Sequence, residues 1–465
     1  MHRTIAILGA GFCGAMTAAH LLRRNPGSGV RVVLVERAGA AGRGLAYGTW
    51  DDSLLLNVPA GNMSAFADAP GDFLDYVRTI DPSFNAGAFL PRRIYGDYLE
   101  DTLAQAARLS DTPLEKIAAE AVAVRRSGQA RGFTIDLAGG RALHAEQVVL
   151  ALGHLPPASP AVFAALAQSR AFVANPWDLA ALDRIDGERP VVILGTGHTA
   201  VDALFRLTSR GDDRKVVLVS RRGLLPHGHR QSPRQPAAVA RPAYLPSGAG
   251  ATALGLLRVV RAQARQRATA GSDWRDVINE MRPHIPALWS QLADGERHRF
   301  VRRLLPYWNV HRHRLAPAAH LRLQRMLASG QVEIRAGRVE SCALRDGEVH
   351  MVLRGPGGAV APVRAGTVVN CSGPDYDVAR AGSPLLRQLR EAGLACRDPA
   401  SLGLDVDGQY RLVGRDGGAV RDLYYVGPML RARYWEAVAV PELRVHCEQV
   451  ARRILADGDA AACRQ

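Results

Sequence analysis

Two glycine-rich turns, each at the end of a short apolar run, constrain this chain more than any other feature. The first is Gly9-Ala10-Gly11-Phe12-Cys13-Gly14, directly after residues 4–8. In a turn of this spacing the first glycine permits a sharp reversal and the second lets the backbone approach a pyrophosphate. The third lets the following helix pack close to its strand. That helix then directs its N-terminal N–H groups and positive dipole end at the phosphates. The second turn, Gly195-Thr196-Gly197-His198-Thr199-Ala200, repeats the pattern after 191–194 with alanine in third place, which the pattern tolerates. The spacing predicts an α/β chain with two Rossmann-like dinucleotide-binding domains.

The strands that follow the two turns end differently. VRVVLVER closes on Glu36 and Arg37, and an acid at this distance receives the ribose hydroxyls of an adenosine. KVVLVSRR closes on Ser220, Arg221 and Arg222. A carboxylate there would repel a 2′-phosphate, whereas a guanidinium binds one by paired charged hydrogen bonds. The expectation is FAD in the first site and NADPH in the second. Gly9, Gly11, Phe12, Cys13, Gly14 and Glu36 with Arg37 are candidate FAD contacts. Gly195, Gly197, His198, Thr199, Arg221 and Arg222 are candidate NADPH contacts. Cys13, at the helix start beside a pyrophosphate, reads as a small packing residue, since no second cysteine lies near it in sequence.

At 465 residues the chain is long enough for two or three cores. We expect a first part of the FAD domain over 1–157, ending in the strand and Gly/Pro linker VVLALGHLPP with Gly153. The NAD(P)H domain is expected over 158–366. Within it, about 225–330, apolar residues recur at helical spacing between arginines, around a proline-rich loop. This predicts a mainly helical insertion capping the cleft. The FAD domain then resumes over 367–465. There TVVNCSG ends at Gly373 and DLYYVGP places Gly427 at a strand end. Pro441 and Leu443, candidate cofactor contacts, open a last amphipathic helix, and Trp435 ahead of it is a candidate pocket wall.

The net charge is +15, and all but two of the 59 basic residues are arginines, the lysines being Lys116 and Lys215. No long basic block or basic–aromatic interleaving accompanies this, so nucleic acid is not an expected partner. A field that draws in anionic small molecules is the milder consequence. No apolar run approaches the roughly 18–20 residues of a bilayer span, so no membrane partner is expected, and the amino-terminal residues lack a signal-peptide pattern. A cytoplasmic location is expected. The six cysteines, at 13, 342, 371, 396, 447 and 463, form no CxxC or zinc spacing, so neither a local redox pair nor a metal is expected.

The sequence resembles the two-dinucleotide-domain flavoproteins, and more closely a bacterial FAD/NAD(P)-binding oxidoreductase family related to the flavin monooxygenases. The stretches that carry this are GAGFCGAM, GRGLAYGT (42–49), LLNVPAGNMSAF (55–66), FLPRRIYGDYL (89–99), SRRGLLPHGH (220–229), PYWNVHRHRLAP (306–317) and YWEAVAVPELR (434–444). The resemblance implies that two stretches lie along FAD, Arg43 to Asn57 with Tyr47, and Arg92 to Tyr98 with Arg93 and Tyr95. It leaves the flavin-facing catalytic residues and the oligomeric state open. A disulfide reductase needs a cysteine pair at the flavin, and the sequence offers none. A monooxygenase needs no protein nucleophile, because the flavin itself carries the oxygen chemistry in a site that excludes water. The FxGxxxHxxx signature of flavin-containing and Baeyer–Villiger monooxygenases is absent ahead of the second turn, where Asn175-Pro176-Trp177 stands in the linker. The leading expectation is oxygen transfer to a small-molecule substrate. An NADPH-dependent flavin reductase or oxidase, and a non-catalytic FAD-binding redox sensor, stay open. Trp308, His311, Arg312, His313 and Arg314, in the cationic PYWNVHRHR stretch, are candidate contacts for an anionic substrate or for the NADPH phosphates.

Overall fold

The computed structural model describes residues 3–24, 29–49, 51–128, 131–209, 211, 213–231, 240–246, 250–380 and 382–462; Cys463 and parts of the proline-rich loop, 232–239 and 247–249, lie outside them. The first sheet has six strands in the order Arg411–Val413, Ala419–Tyr425, Gln147–Leu150, Arg3–Leu8, Val30–Val35 and Leu114–Ile117. All its pairings are parallel except that of the edge strand Arg411–Val413. Runs such as VRVVLV suit this position because a parallel strand with both faces covered needs apolar residues at every step. The helices Phe12–Arg23, Arg92–Arg108 and Val440–Ala462 pack together over this domain, and the last of them brings the carboxy-terminal segment back against the first glycine turn.

The second sheet has five parallel strands in the order Val332–Ala336, Val216–Ser220, Val191–Leu194, Thr367–Asn370 and Phe172–Val173. This moves one expected boundary. Thr367–Asn370 pairs with Val191–Leu194 and therefore belongs to the second domain, so the chain returns to the first only after Asn370. The reason is register. TVVN fills an interior slot between the central VVIL and the edge strand Phe172–Val173, and its four residues are all buried there. The two connections between the domains run side by side, with the Asp375 N–H donating to the Pro156 carbonyl and the Asn370 side chain donating to the Ala158 carbonyl.

Between Val216–Ser220 and Val332–Ala336 stands the helical insertion, with helices Ala253–Thr269, Trp274–Met281, Ile285–Gln291, Asp294–Arg303 and Leu305–Arg312. Thr252 and Asp273 cap two of them, accepting from Gly255 N (3.0 Å) and Arg275 N (2.9 Å). The next helix, Pro317–Ala328, is the crossover back to the sheet and buries Leu323 and Met326 in the second core. The insertion has its own core of Ile278, Met281, Ile285, Leu288 and Trp289, shared with Leu402 and Trp435 from the carboxy-terminal segment.

Candidate active site

The first glycine turn is fixed by close approach. Gly9 has φ +100°, and a Cβ there would lie 2.4 Å from the Ala151 carbonyl oxygen. A Cβ on Gly14 would lie 1.9 Å from the Gly9 carbonyl oxygen, so the helix can sit this close only with hydrogen at that position. Glu36 closes the turn from the neighbouring strand, accepting from Ala10 N (2.8 Å) and Ala38 N (3.1 Å). The second turn repeats the construction, with Gly195 at φ +115° against the Cys371 carbonyl. Ser220 takes the place of Glu36, its hydroxyl 3.1 Å from the Thr196 hydroxyl and accepting from Gly223 N. Both helices start on a glycine, Gly11 and Gly197, with no side-chain cap and no acid in the first turn. Their first N–H groups are therefore donors without a side-chain acceptor.

Both helix starts open on one cavity of about 520 Å³. Gly11, Phe12 and Cys13 line it from the first turn, and His198 and Thr199 from the second. Asn57 to Pro59 and Gly153 to Leu155 add further wall, and the insertion contributes Arg230, Arg275, Asn279, Arg282, Arg312, His313 and Arg314. Ion pairs tie these walls together. Arg92, at the start of its helix, meets Asp202 of the second domain at 2.8 Å and also donates to the Leu55 carbonyl. Arg282 makes a two-pronged bond to Glu442 of the last helix (2.6 and 2.9 Å). Arg312 comes within 2.8 Å of Glu436, close in charge but without hydrogen-bond alignment. Arg230 and Arg275 share Asp273, Arg230 also holding Asp276, and Arg43 holds Asp97 and Glu100.

The cavity histidines are neutral at pH 7. Burial lowers His154 to about 4 and His229 to about 3, helped by neighbouring guanidinium groups. His198 and His313 are lowered for the same reason. Each has a structural bond or place: His229 Nε2 lies 3.1 Å from the Asn57 carbonyl, and His198 Nε2 lies 3.2 Å from the Arg314 carbonyl. His154 Nδ1 is 3.2 Å from the Tyr376 hydroxyl, whose own ionisation burial pushes up.

Of the expected contacts, Gly11, Phe12, Cys13, Arg43, Tyr47, Asn57, Gly153, His198, Thr199, Gly373, Leu443 and Arg312 line the cavity. Others do not. Tyr95 is fully buried among Phe12, Tyr47, Phe73 and Tyr98, because its helix turns that face towards the first helix and points Arg92 at the cavity. Arg93, one position on, reaches away to Asp52. Trp435 stacks on Trp289 at 4.3 Å in the insertion's core. Trp308 packs in the same core. His311 and His313 diverge, because the helix runs to Arg312: His311 sits against His227 and Trp274 outside the cavity, and His313 faces in. Arg37 and Arg221 are exposed, Arg222 lies over the Tyr307 ring at 5.6 Å, and Pro441 and Gly427 stand behind the lining. Arg92, the first residue of the stretch expected along FAD, does line the cavity, whereas sequence reasoning did not single out Asp202, His154, Tyr376, Arg282 or Asn279. Only His154, next to a strand-ending glycine, carried a signal. Cys13 meets a cysteine distant in sequence: its thiol lies beside Cys447 of the last helix, and that contact with burial raises it well above a reactive thiol.

Residues 6–155 match a family model described as FAD-NAD(P)-binding. A search of curated proteins finds no match to this chain. Among solved structures, an ornithine hydroxylase from Pseudomonas aeruginosa superposes with a TM-score of 0.66 at 17% identity, covering 98% of this chain and 99% of that one. An ornithine N-hydroxylase from Kutzneria sp. 744, described with reduced FAD, NADP+ and L-ornithine, gives 0.64 at 14% identity over 98% and 100%. A thioredoxin reductase from T. acidophilum gives 0.52 at 12% identity over 98% and 99%. The fold is that of a two-dinucleotide-domain flavoprotein. The residues of this chain fit both cofactors. The uncapped helix starts offer donors to two pyrophosphates, and the first has a cradle that side chains would fill. A Cβ on Gly44, at φ +53°, would lie 2.8 Å from Gly11 Cα.

Proposed function

We propose that this protein is an FAD-dependent, NADPH-using monooxygenase acting on a small molecule. One observation carries the reading: both phosphate clasps open on a single cavity that the helical insertion closes. Its volume lies within the range of about 300–1,000 Å³ usual for small-molecule sites. FAD held at the first clasp supplies the electron transfer and the oxygen activation. The chain's own groups bind, orient and exclude water. Gly11 to Cys13 and the helix behind them hold the pyrophosphate, and Glu36 stands where the ribose would lie. The Arg92–Asp202 and Arg282–Glu442 pairs hold the walls in register, and His154 with Tyr376 can hold or pass a proton between Nδ1 and the phenol oxygen.

Disulfide exchange fits less well. The two cysteines of the cavity wall, Cys13 and Cys371, sit one at each clasp, and both thiols are raised, Cys13 by Cys447 and burial and Cys371 by burial. The likeness to the N-hydroxylating enzymes, closer than that to the thioredoxin reductase, supports the same choice at the level of fold. Rapid mixing of the FAD-loaded protein with NADPH under nitrogen tests the reading. NADPH is expected to bleach the flavin absorbance, and air, with no oxygen acceptor present, to restore it slowly, hydrogen peroxide appearing only after a delay that follows oxygen uptake. Absence of bleaching overturns the oxidoreductase reading. Immediate recovery, with hydrogen peroxide released as fast as oxygen is taken up, identifies an oxidase instead.

A further inference from the structure

The charges of the cavity wall do not balance, and the imbalance sits at one residue. Every other arginine that lines the cavity has a carboxylate within 4 Å, whereas Arg314 has none among the described residues. It is 5% exposed, its Nε has no partner, and its one side-chain bond runs from NH2 to the Asn279 amide oxygen at 2.6 Å. Burial, then Arg312 and Arg275, lower it to about 10, so it is still a cation at neutral pH. The charge it feels from Asp273 is shared with Arg230 and Arg275, and a buried cation without a carboxylate of its own costs several kcal/mol unless something answers it. The fold nevertheless holds the residue in place. Leu315 N donates to the His227 carbonyl (2.8 Å), and His229 N donates to the Leu315 carbonyl (2.9 Å). These bonds prevent the segment from carrying the guanidinium out to solvent.

On the proposed function, we propose further that the substrate carries an anionic group, a carboxylate, and that Arg314 with Asn279 receives it. A planar guanidinium matches a carboxylate through two parallel hydrogen bonds, and Asn279 adds an amide donor beside it. The phosphates of NADPH are the other source of negative charge, and the direction of the side chain argues against them. The Arg314 carbonyl, not its guanidinium, faces the second clasp through His198. The guanidinium points to the insertion helix Trp274–Met281, a wall that neither glycine turn builds.

Malonate is a suitable probe, titrated by calorimetry into FAD-loaded protein with and without saturating NADP+, with malonamide as the neutral counterpart. The expected result is saturable malonate binding and none for malonamide. Binding should weaken at least tenfold in Arg314→Gln and less in Arg314→Lys, which keeps the charge without the fork. Three results overturn the proposal: no malonate binding, binding that both variants leave unchanged, or binding that NADP+ abolishes, which would give the charge to a cofactor phosphate. Bleaching by NADPH, read separately on the same samples, keeps failure of the oxidoreductase reading distinct from failure of this one.

Discussion

Gly14 shows how much one hydrogen atom decides. With the Gly9 carbonyl oxygen 1.9 Å from where its Cβ would stand, Gly14→Ala must push the first helix off its strand. Overpacking of this kind costs about 1–3 kcal/mol, and here it also displaces the donors of the clasp. The purified variant is expected to lose most of its flavin, read as the ratio of absorbance at the flavin and protein bands. Arg221 carries a different prediction. It is exposed directly after the strand Val216–Ser220, and the proposed NADPH assignment gives it the 2′-phosphate. Arg221→Ala should lower kcat/KM for NADPH by about tenfold or more, the worth of a charged hydrogen bond, and leave NADH little affected. Equal losses for both nucleotides would refute the assignment. At this scale the sequence was legible wherever glycine spacing or a strand end set the geometry. It was not legible where helix phase decided, as with Tyr95, turned into the core, and Arg92, three residues earlier and turned to the cavity.

Among the elements, the last helix and the insertion meet through Arg282 and Glu442, which are 24% and 18% exposed in their side chains. Removing one partner of a largely buried pair strands the other charge, at a cost of about 3 kcal/mol. Glu442→Gln should therefore lower the denaturation midpoint more than the double change with Arg282→Met does. A single variant no worse than the double would show that the pair is solvated. The strands and the insertion's helices were readable as periodicities in the sequence. What periodicity could not show was that TVVN, preceding a glycine like the other strands, inserts between VVIL and Phe172–Val173 in the second sheet. Pairing partners distant in sequence leave no local mark.

For the molecule as a whole, the buried histidines set a pH dependence. His20, His154 and His446 are lowered to about 4 and His229 to about 3, in each case chiefly by burial. In the unfolded chain a histidine titrates near 6.5, so below that pH the unfolded state takes up protons that the folded state refuses. Their contribution to stability is complete above about pH 6.5 and declines as pH falls towards 4, each unit of depression being worth about 1.4 kcal/mol. The midpoint of urea unfolding is expected to drop clearly between pH 7.5 and pH 5. A flat profile would mean that these rings are wet. Two nucleotide domains were legible from the two turns alone, but the cavity was not. Its walls come from three separate parts of the chain, and the cationic stretch 311–314 did not itself show that Arg312 has a carboxylate partner and Arg314 has none among the described residues.

The insertion begins after Ser220 and ends before Val332, and those two strands are immediate neighbours in the sheet. A segment whose ends emerge side by side can be exchanged between lineages without disturbing either clasp, as long as the residues opposite Glu436 and Glu442 travel with it. Substrate choice in such a protein can then change at a different pace from its redox machinery, and relatives with nearly the same nucleotide domains would differ most between these two strands.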